Sequence, residues 1–123
     1  MITCHVVEDE PLLRQLLVQV LESHPQARVL GSSGSVAEAV AHCRQDPPDL
    51  LVIDLKLPDG SGLDAALAVV AAHPDVRVVV LSAEASTFVC PQPLRVALSG
   101  VIDKIHAFQQ LPLEIDDLLN ARS

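Results

Sequence analysis

The strongest constraint on the fold is a regular alternation between short apolar runs and longer segments with helical periodicity. The apolar runs lie at Ile2–Val7, Ala27–Gly31, Leu50–Asp54, Arg77–Ser82 and Gly100–Lys104. Nearly continuous apolar strands separated by helices are typical of a mostly parallel sheet that is covered on both faces. The alternation therefore predicts an α/β domain of five βα repeats.

The segments between the runs support four regular helices and one irregular one. Leucine and valine recur on one stripe from Pro11 onward, and Ser35 with Glu38 forms a capping box that starts the second helix. The third and last helices are predicted over Gly62–Ala72 and Pro112–Ala121. The fourth is predicted to be irregular, because two prolines remove amide donors within Ala85–Leu98. We expect irregular or mobile backbone over Ala85–Pro93, with at most a short helix after Pro93.

Length and charge limit the class of protein. A chain of 123 residues that is 50% hydrophobic suits one domain over residues 1–123, with a single core. Eight basic against sixteen acidic residues give a net charge of −8, which disfavours binding to nucleic acid or anionic lipid. Three scattered cysteines indicate neither a disulfide framework nor a zinc site. Without a basic leader or a long apolar run, we expect a cytoplasmic protein.

Polar residues follow the predicted strands where each strand ends. Glu8 and Asp9 follow the first strand, whereas Asp54, Ser82 and Lys104 end the third, fourth and fifth. Ligand sites in open α/β sheets lie beyond the carboxyl ends of the strands. We therefore expect three carboxylates, one hydroxyl and one ammonium group to converge at one edge of the sheet.

This combination of groups suits phosphoryl transfer. Clustered carboxylates repel one another unless a cation balances them, and hard oxygen ligands beside a phosphate suit Mg²⁺. The Asp54 carboxylate would then act as the nucleophile that accepts a phosphoryl group as an acyl phosphate. Mg²⁺ and Lys104 would neutralise the phosphoryl oxygens.

The same residues carry a family resemblance over the whole chain. Val6–Glu10 resembles the acidic pair of response regulator receiver domains, and Ile53–Leu63 resembles their phosphoacceptor strand and Pro/Gly turn. Val79–Ala83 is similar to the strand with the switch hydroxyl, and Gly100–Lys104 to the strand with the lysine. The stretch His73–Ala83 is most similar to the NarL/LuxR-type branch. The resemblance implies a doubly wound (βα)5, flavodoxin-like or CheY-like domain with strand order 2-1-3-4-5.

The resemblance also implies roles for single residues. Asp54 would be the phosphoacceptor, Ser82 would bond the phosphoryl group, and Lys104 would pair with Asp54 or its phosphate. Mg²⁺ would be bound by Asp9, Asp54 and the backbone carbonyl of Lys56, with Glu8 supporting it through water.

Partners follow from the resemblance in the same way. A sensor histidine kinase would supply the phosphoryl group, and a homodimer is compatible with the family. DNA would be contacted only through a C-terminal effector domain outside this chain, for transcriptional output. The chain would not be an enzyme beyond self-phosphorylation from a donor and slow autodephosphorylation.

Three departures from the family pattern support an alternative function. Val101 replaces the usual aromatic switch, Ile105 stands where many relatives have proline, and Pro91 and Pro93 interrupt the fourth helix. All three fall on the surface through which relatives signal. The alternative is a degenerate receiver that binds partners without phosphorylation. An aspartate-nucleophile phosphatase is disfavoured, because Lys56 stands where that chemistry needs a second acid.

Two oppositely charged residues, Lys56 and Glu84, each follow a site residue by two positions. In receiver domains, these positions tune how readily water reaches the acyl phosphate. The two side chains would either pair across the opening and hinder water or point apart into solvent.

Overall fold

Seven strands are present in residues 1–122, the part of the chain that the computed structural model describes. They are β1 (Ile2–Val7), β2 (Ala27–Ser33), β3 (Leu50–Asp54), β4 (Lys56–Leu57), β5 (Gly60–Ser61), β6 (Arg77–Ser82) and β7 (Leu98–Asp103). Five of them form one parallel sheet in the order β2-β1-β3-β6-β7, while β4 and β5 form a small antiparallel hairpin. The predicted order 2-1-3-4-5 is confirmed, since β6 and β7 are the fourth and fifth strands of the sheet.

Four α-helices cover the two faces of this sheet. They are α1 (Pro11–Glu22), α2 (Val36–Gln45), α3 (Gly62–Ala72) and α4 (Ala107–Arg122). One core cluster joins β1 to Leu17 and Leu21 of α1 and Leu111 and Ile115 of α4. The other joins the opposite sheet face to α2 and α3. The central strands are buried on both sides, as their continuous apolar sequence predicts.

The helix starts follow the local sequence signals. The Glu10 side chain accepts a hydrogen bond from the Leu13 amide at 2.7 Å, and Pro11 occupies the first helical position. Ser35 caps α2 by accepting from the Glu38 amide at 3.2 Å. Asp59, in the β4–β5 turn, reinforces that start by accepting from the amides of residues 36 and 37.

The fourth helix is irregular, as predicted. Two single 3₁₀ turns, Ala85–Thr87 and Gln92–Leu94, take its place between β6 and β7. Leu94, in the second turn, is fully buried and packs in the core cluster on the α2 and α3 face. Pro91 and Pro93 cannot donate to a helical ladder, which is the physical reason for the interruption.

The predicted bounds of three elements were wrong. The second strand continues to Ser33 rather than ending at Gly31, and the last strand is Leu98–Asp103 rather than Gly100–Lys104. The last helix starts at Ala107 rather than Pro112. Proline in a helix interior loses one amide donor, but burial of Leu111 and Ile115 holds the flanking turns against the sheet. No helix within residues 1–122 is both long and apolar enough to cross a membrane.

Candidate functional site

The predicted site residues meet at the carboxyl edge of the sheet. β1, β3, β6 and β7 are consecutive neighbours in the sheet, so the residues at their ends are brought side by side. Glu8 follows β1, Asp54 and Ser82 end β3 and β6, and Lys104 follows β7. Parallel alignment alone therefore gathers residues that are far apart in sequence.

Lys104 links the two buried carboxylates of the site. Its Nζ donates to Asp54 Oδ2 at 2.6 Å and to Glu8 Oε1 at 3.2 Å. Asp54 is 4% exposed and Glu8 is 1% exposed, whereas the lysine side chain is 30% exposed. The ammonium group thus offsets two negative charges that would be costly to bury alone.

Burial and mutual repulsion affect how these groups hold protons. Burial, followed by the contact with Asp54, raises the pKa of Glu8 to about 7, although Lys104 acts in the opposite direction. Burial lowers the pKa of Lys104, but its hydrogen bonds and attraction to the two carboxylates outweigh burial and raise it overall. Lys104 is therefore charged at neutral pH.

Asp9 adds the third carboxylate. One carboxylate oxygen each from Glu8, Asp9 and Asp54 lies within 4.8 Å of the others. Asp9 is exposed while the other two are buried, so the cluster opens to solvent on one side. Carboxylate oxygens at this spacing fit a hard cation such as Mg²⁺, which takes one or two carboxylates and retains several waters. The donor set fits the predicted metal.

A cavity of about 250 Å³ opens over Asp54. Its lining residues come from the ends of β3, β6 and β7 and from the turn after β6: Asp54, Leu55, Lys56, Ser82, Ala83, Glu84, Thr87 and Lys104. The Ser82 hydroxyl accepts from the Glu84 amide at 3.0 Å, and Asp54 Oδ1 accepts from the Lys56 amide at 3.3 Å. All three predicted phosphoryl-handling residues therefore border one cavity.

Lys56 and Glu84 both line this cavity, but no ion pair joins them within residues 1–122. The Glu84 carboxylate instead lies 3.5 Å from the Thr87 hydroxyl, which donates to the Glu84 carbonyl at 2.9 Å. Of the two arrangements that the sequence allows, the structure shows the separated one.

The residues that depart from the family pattern lie beside the site. Val101 is half-buried and packs against the core cluster on the α2 and α3 face, so an aliphatic side chain occupies the switch position. Ile105, directly after Lys104, is 84% exposed. The two 3₁₀ turns replace the regular helix on the same side of the sheet.

One contact at the site was missed from the sequence. Arg14 Nη1 donates to the Glu8 carbonyl oxygen at 2.9 Å. The missed signal is a basic residue near the start of α1, where the helix dipole disfavours positive charge. Such a residue indicates a specific acceptor nearby.

Comparisons with known proteins match these observations. The family model described as "Response regulator receiver domain" matches residues 4–116. The DNA-binding transcriptional activator DevR/DosR of Mycobacterium tuberculosis is 31% identical over 123 residues, which is 100% of this chain and 57% of that protein. The transcriptional regulatory protein CitB of Klebsiella pneumoniae is 30% identical over 99% of this chain and 52% of that protein. This chain spans little more than half the length of these relatives.

Solved structures agree on the fold. A two-component response regulator of the LuxR family from Aurantimonas superposes with a TM-score of 0.81 at 22% identity, covering 98% of this chain and 86% of that one. Receiver domains bind Mg²⁺ in an acidic pocket and are generally not enzymes, although some relatives are protein-glutamate methylesterases. The fold, the residues at the sheet edge and the family match agree: this chain belongs to the response regulator receiver domains of two-component systems.

Proposed function

We propose that Asp54 accepts a phosphoryl group from a histidine kinase, with Glu8 and Asp9 helping to hold Mg²⁺. The observation that carries this is the position of Asp54: it is buried, held by Lys104 at 2.6 Å, and lines the cavity. A carboxylate in this position is desolvated and oriented toward an incoming phosphorus atom.

In the proposed step, a carboxylate oxygen of Asp54 bonds to phosphorus as the phosphorus–nitrogen bond of phosphohistidine breaks. The released imidazole nitrogen takes up a proton, and Asp54 carries an acyl phosphate. Bound Mg²⁺ supplies positive charge to the phosphoryl oxygens. Asp9, Asp54 and the Lys56 carbonyl would hold the metal, with Glu8 contributing through water.

Lys104 and Ser82 act on the phosphoryl group once it is in place. Lys104 already donates to Asp54 and can follow the new negative charge, because its side chain is partly exposed and flexible. The Ser82 hydroxyl lines the same cavity and can donate to a phosphoryl oxygen. No further catalysis is proposed beyond slow hydrolysis of the acyl phosphate by the same site.

Partners and location form part of the same proposal. Leu12 is 63% exposed and lies three positions after Asp9. Ile105 is 84% exposed and directly follows Lys104. These exposed apolar side chains, close in sequence to site residues, support docking of a histidine kinase or a second copy in the cytoplasm. The length of the relatives supports a receiver spanning residues 1–123 that passes its state to a C-terminal DNA-binding effector domain outside this chain.

A second function is favoured by the departures around Val101. Without an aromatic side chain to rotate, and with 3₁₀ turns in place of a helix, the surface would not change on phosphorylation. The chain would then bind its partner constitutively. Amide NMR spectra of the phosphorylated wild type and of Ser82→Ala together distinguish the two functions. A switch loses its phosphorylation-dependent amide NMR shifts outside the pocket in this variant, whereas a constitutive module shows no such shifts even in the wild type.

Intact-mass measurement after incubation with acetyl phosphate and Mg²⁺ tests the phosphoacceptor directly. The wild type should gain about 80 Da, the mass of one phosphoryl group, and Asp54→Asn should gain nothing. Asp75→Asn, an exposed acid at the other end of the sheet, is the matched control and should label normally. Asp9→Ala should bind Mg²⁺ more weakly and label more slowly. Wild-type labelling of Asp54→Asn would disprove the proposal.

A further inference from the structure

The peptide unit between Glu8 and Asp9 is held at both of its polar ends. Its carbonyl oxygen accepts from Arg14 Nη1 at 2.9 Å, and its amide donates to Glu8 Oε2 at 3.1 Å. One residue earlier, the Glu8 amide donates to the Ser33 carbonyl of β2 at 3.0 Å. This peptide connects two of the three carboxylates in the cluster, so its orientation sets the direction in which Asp9 leaves the backbone.

Gly34 has no side chain, and the Arg14 guanidinium occupies the space that a side chain at position 34 would need. A Cβ atom at position 34 would lie 2.6 Å from Arg14 Nη1 and 3.8 Å from the Glu8 carbonyl oxygen. The first distance is too short for real contacts, while the second is an ordinary one. The turn after β2 is therefore shaped around the arginine rather than around the backbone of Glu8.

We propose that Arg14 is a positioning residue for the cation site. By fixing the Glu8–Asp9 peptide, it directs the exposed Asp9 carboxylate toward the buried pair, Glu8 and Asp54, before a cation arrives. The inference rests on the proposed function, since it assumes that these carboxylates hold Mg²⁺. Residues that orient metal ligands without touching the metal commonly change its affinity by about 10-fold to 100-fold.

The direction of the change in Mg²⁺ affinity distinguishes a positioning role of Arg14 from a purely electrostatic one. Removing a positive charge near a cation site reduces electrostatic repulsion, so a purely electrostatic role predicts tighter Mg²⁺ binding in Arg14→Met. A positioning role predicts weaker binding, because the Asp9 backbone loses its anchor. The two roles therefore give opposite results in the same measurement.

Gly34→Ala tests the geometry without changing any charge. The added methyl group displaces the far end of a flexible side chain, so the fold should tolerate it while the guanidinium loses its place. Arg28→Met removes an equal charge from an exposed position near the start of β2, far from the carboxyl edge, and is the matched control.

The experiment is calorimetric titration of Mg²⁺ into the unphosphorylated wild type and these variants, with urea unfolding in metal-free buffer as the measure of the fold. We expect about tenfold weaker Mg²⁺ binding in Arg14→Met and in Gly34→Ala, wild-type affinity in Arg28→Met, and little change in metal-free unfolding. The Arg14→Met/Gly34→Ala double variant should bind no more weakly than the weaker single variant, because both remove the same contact.

Unchanged or tighter binding in both Arg14→Met and Gly34→Ala, with a normal wild type, would overturn the positioning role and leave the proposed function intact. Independent, additive losses in the double variant would also overturn it. A wild type that does not bind Mg²⁺ would instead disprove the proposed metal site itself. If Arg14→Met does not fold, Gly34→Ala alone decides between these results.

Discussion

Gly62 packs directly on the backbone of Asp54: a Cβ atom at position 62 would overlap the Asp54 carbonyl oxygen. The Gly62 amide also donates to the Leu55 carbonyl at 2.8 Å. The first residue of α3 therefore fixes the end of β3, where the candidate phosphoacceptor lies. Neither backbone can move aside without disturbing the sheet or the helix.

Gly62→Ala should therefore be strongly destabilising. We expect the free energy of unfolding to fall by about 3 kcal/mol or more, because the clash is with backbone rather than with a mobile side chain. Gly100→Ala is the matched control: the atoms nearest to its methyl group would be those of the Glu114 carboxylate, the far end of a flexible side chain. Urea unfolding followed by circular dichroism measures both variants. Equal losses would contradict the backbone contact.

Lys104→Met should destabilise the metal-free protein, because it leaves the buried Asp54 carboxylate without its counter-charge and removes the hydrogen bonds from Lys104 to Asp54 and Glu8. We expect a loss of about 2 kcal/mol in the free energy of unfolding at neutral pH, reduced from that of a fully buried pair because the lysine is partly exposed. Added Mg²⁺ should narrow the difference from the wild type. Lys56→Met, at an exposed lysine, controls for loss of charge. A variant as stable as the wild type without metal would contradict this reading of the site.

His5 should make the protein less stable in mild acid. Its burial and the nearby His42 ring, whose centroid lies 4.6 Å away, lower the pKa of His5 from 6.5 to about 4. Below pH 6.5, His5 is protonated in the unfolded chain, whereas in the folded chain it stays neutral down to about pH 4. The free energy of unfolding therefore falls as the pH drops from 6.5 to 4.

His5→Phe removes this dependence. As the pH falls from 7 to 4.5, the wild type should lose about 2 kcal/mol of unfolding free energy that the His5→Phe variant keeps. His106→Gln, at an exposed histidine, should show no such relative change. Urea unfolding at a series of pH values measures the difference. Parallel pH profiles for His5→Phe and the wild type would show that His5 is not the titrating group.

Lys56 and Glu84 should each slow the loss of phosphate from Asp54. Both charged side chains line the cavity through which water reaches the acyl phosphate, and they are not paired with one another. We expect Lys56→Ala/Glu84→Ala to shorten the phosphoryl half-life several-fold, with the two single effects adding on a logarithmic scale. Intact mass followed over time gives the half-life, with Asp75→Ala as the control. A longer or unchanged half-life in the double variant would show that these two side chains do not hinder water.

The sequence predicted the buried strands best. Ile2–Val7, Leu50–Asp54 and Arg77–Ser82 have the predicted bounds, because strands buried on both faces show continuous apolar runs. The edge strand Leu98–Asp103 was predicted to start two residues too late, since Ser99 carries little strand signal and separates Leu98 from the rest of the run. Pro112 wrongly marked a helix start, because the packing of Leu111 and Ile115 overrides the proline signal.

The part of the candidate site that lies at the strand ends was predictable from the order of the strands. Residues at the ends of neighbouring parallel strands must meet, so the proximity of Glu8, Asp54 and Lys104 follows from topology. The acidic run after β1 divides between two roles, with Glu10 capping α1 and Glu8 entering the site. The contact from Arg14 to the Glu8 carbonyl was not predictable, because it depends on side-chain reach and on the space at Gly34.

The paired 3₁₀ turns between β6 and β7 affect which part of the molecule opens first. Their hydrogen bonds span three residues, as from the Phe88 amide to the Ala85 carbonyl and from the Arg95 amide to the Gln92 carbonyl. Val89 and Val96 are already 81% and 85% exposed, whereas the fully buried Leu94 anchors the second turn to the core. The first turn, Ala85–Thr87, has no buried residue, so its local opening needs far less free energy than global unfolding and its amides should exchange with solvent early. The surface next to the candidate phosphoacceptor can thus be remodelled while the rest of the domain stays folded.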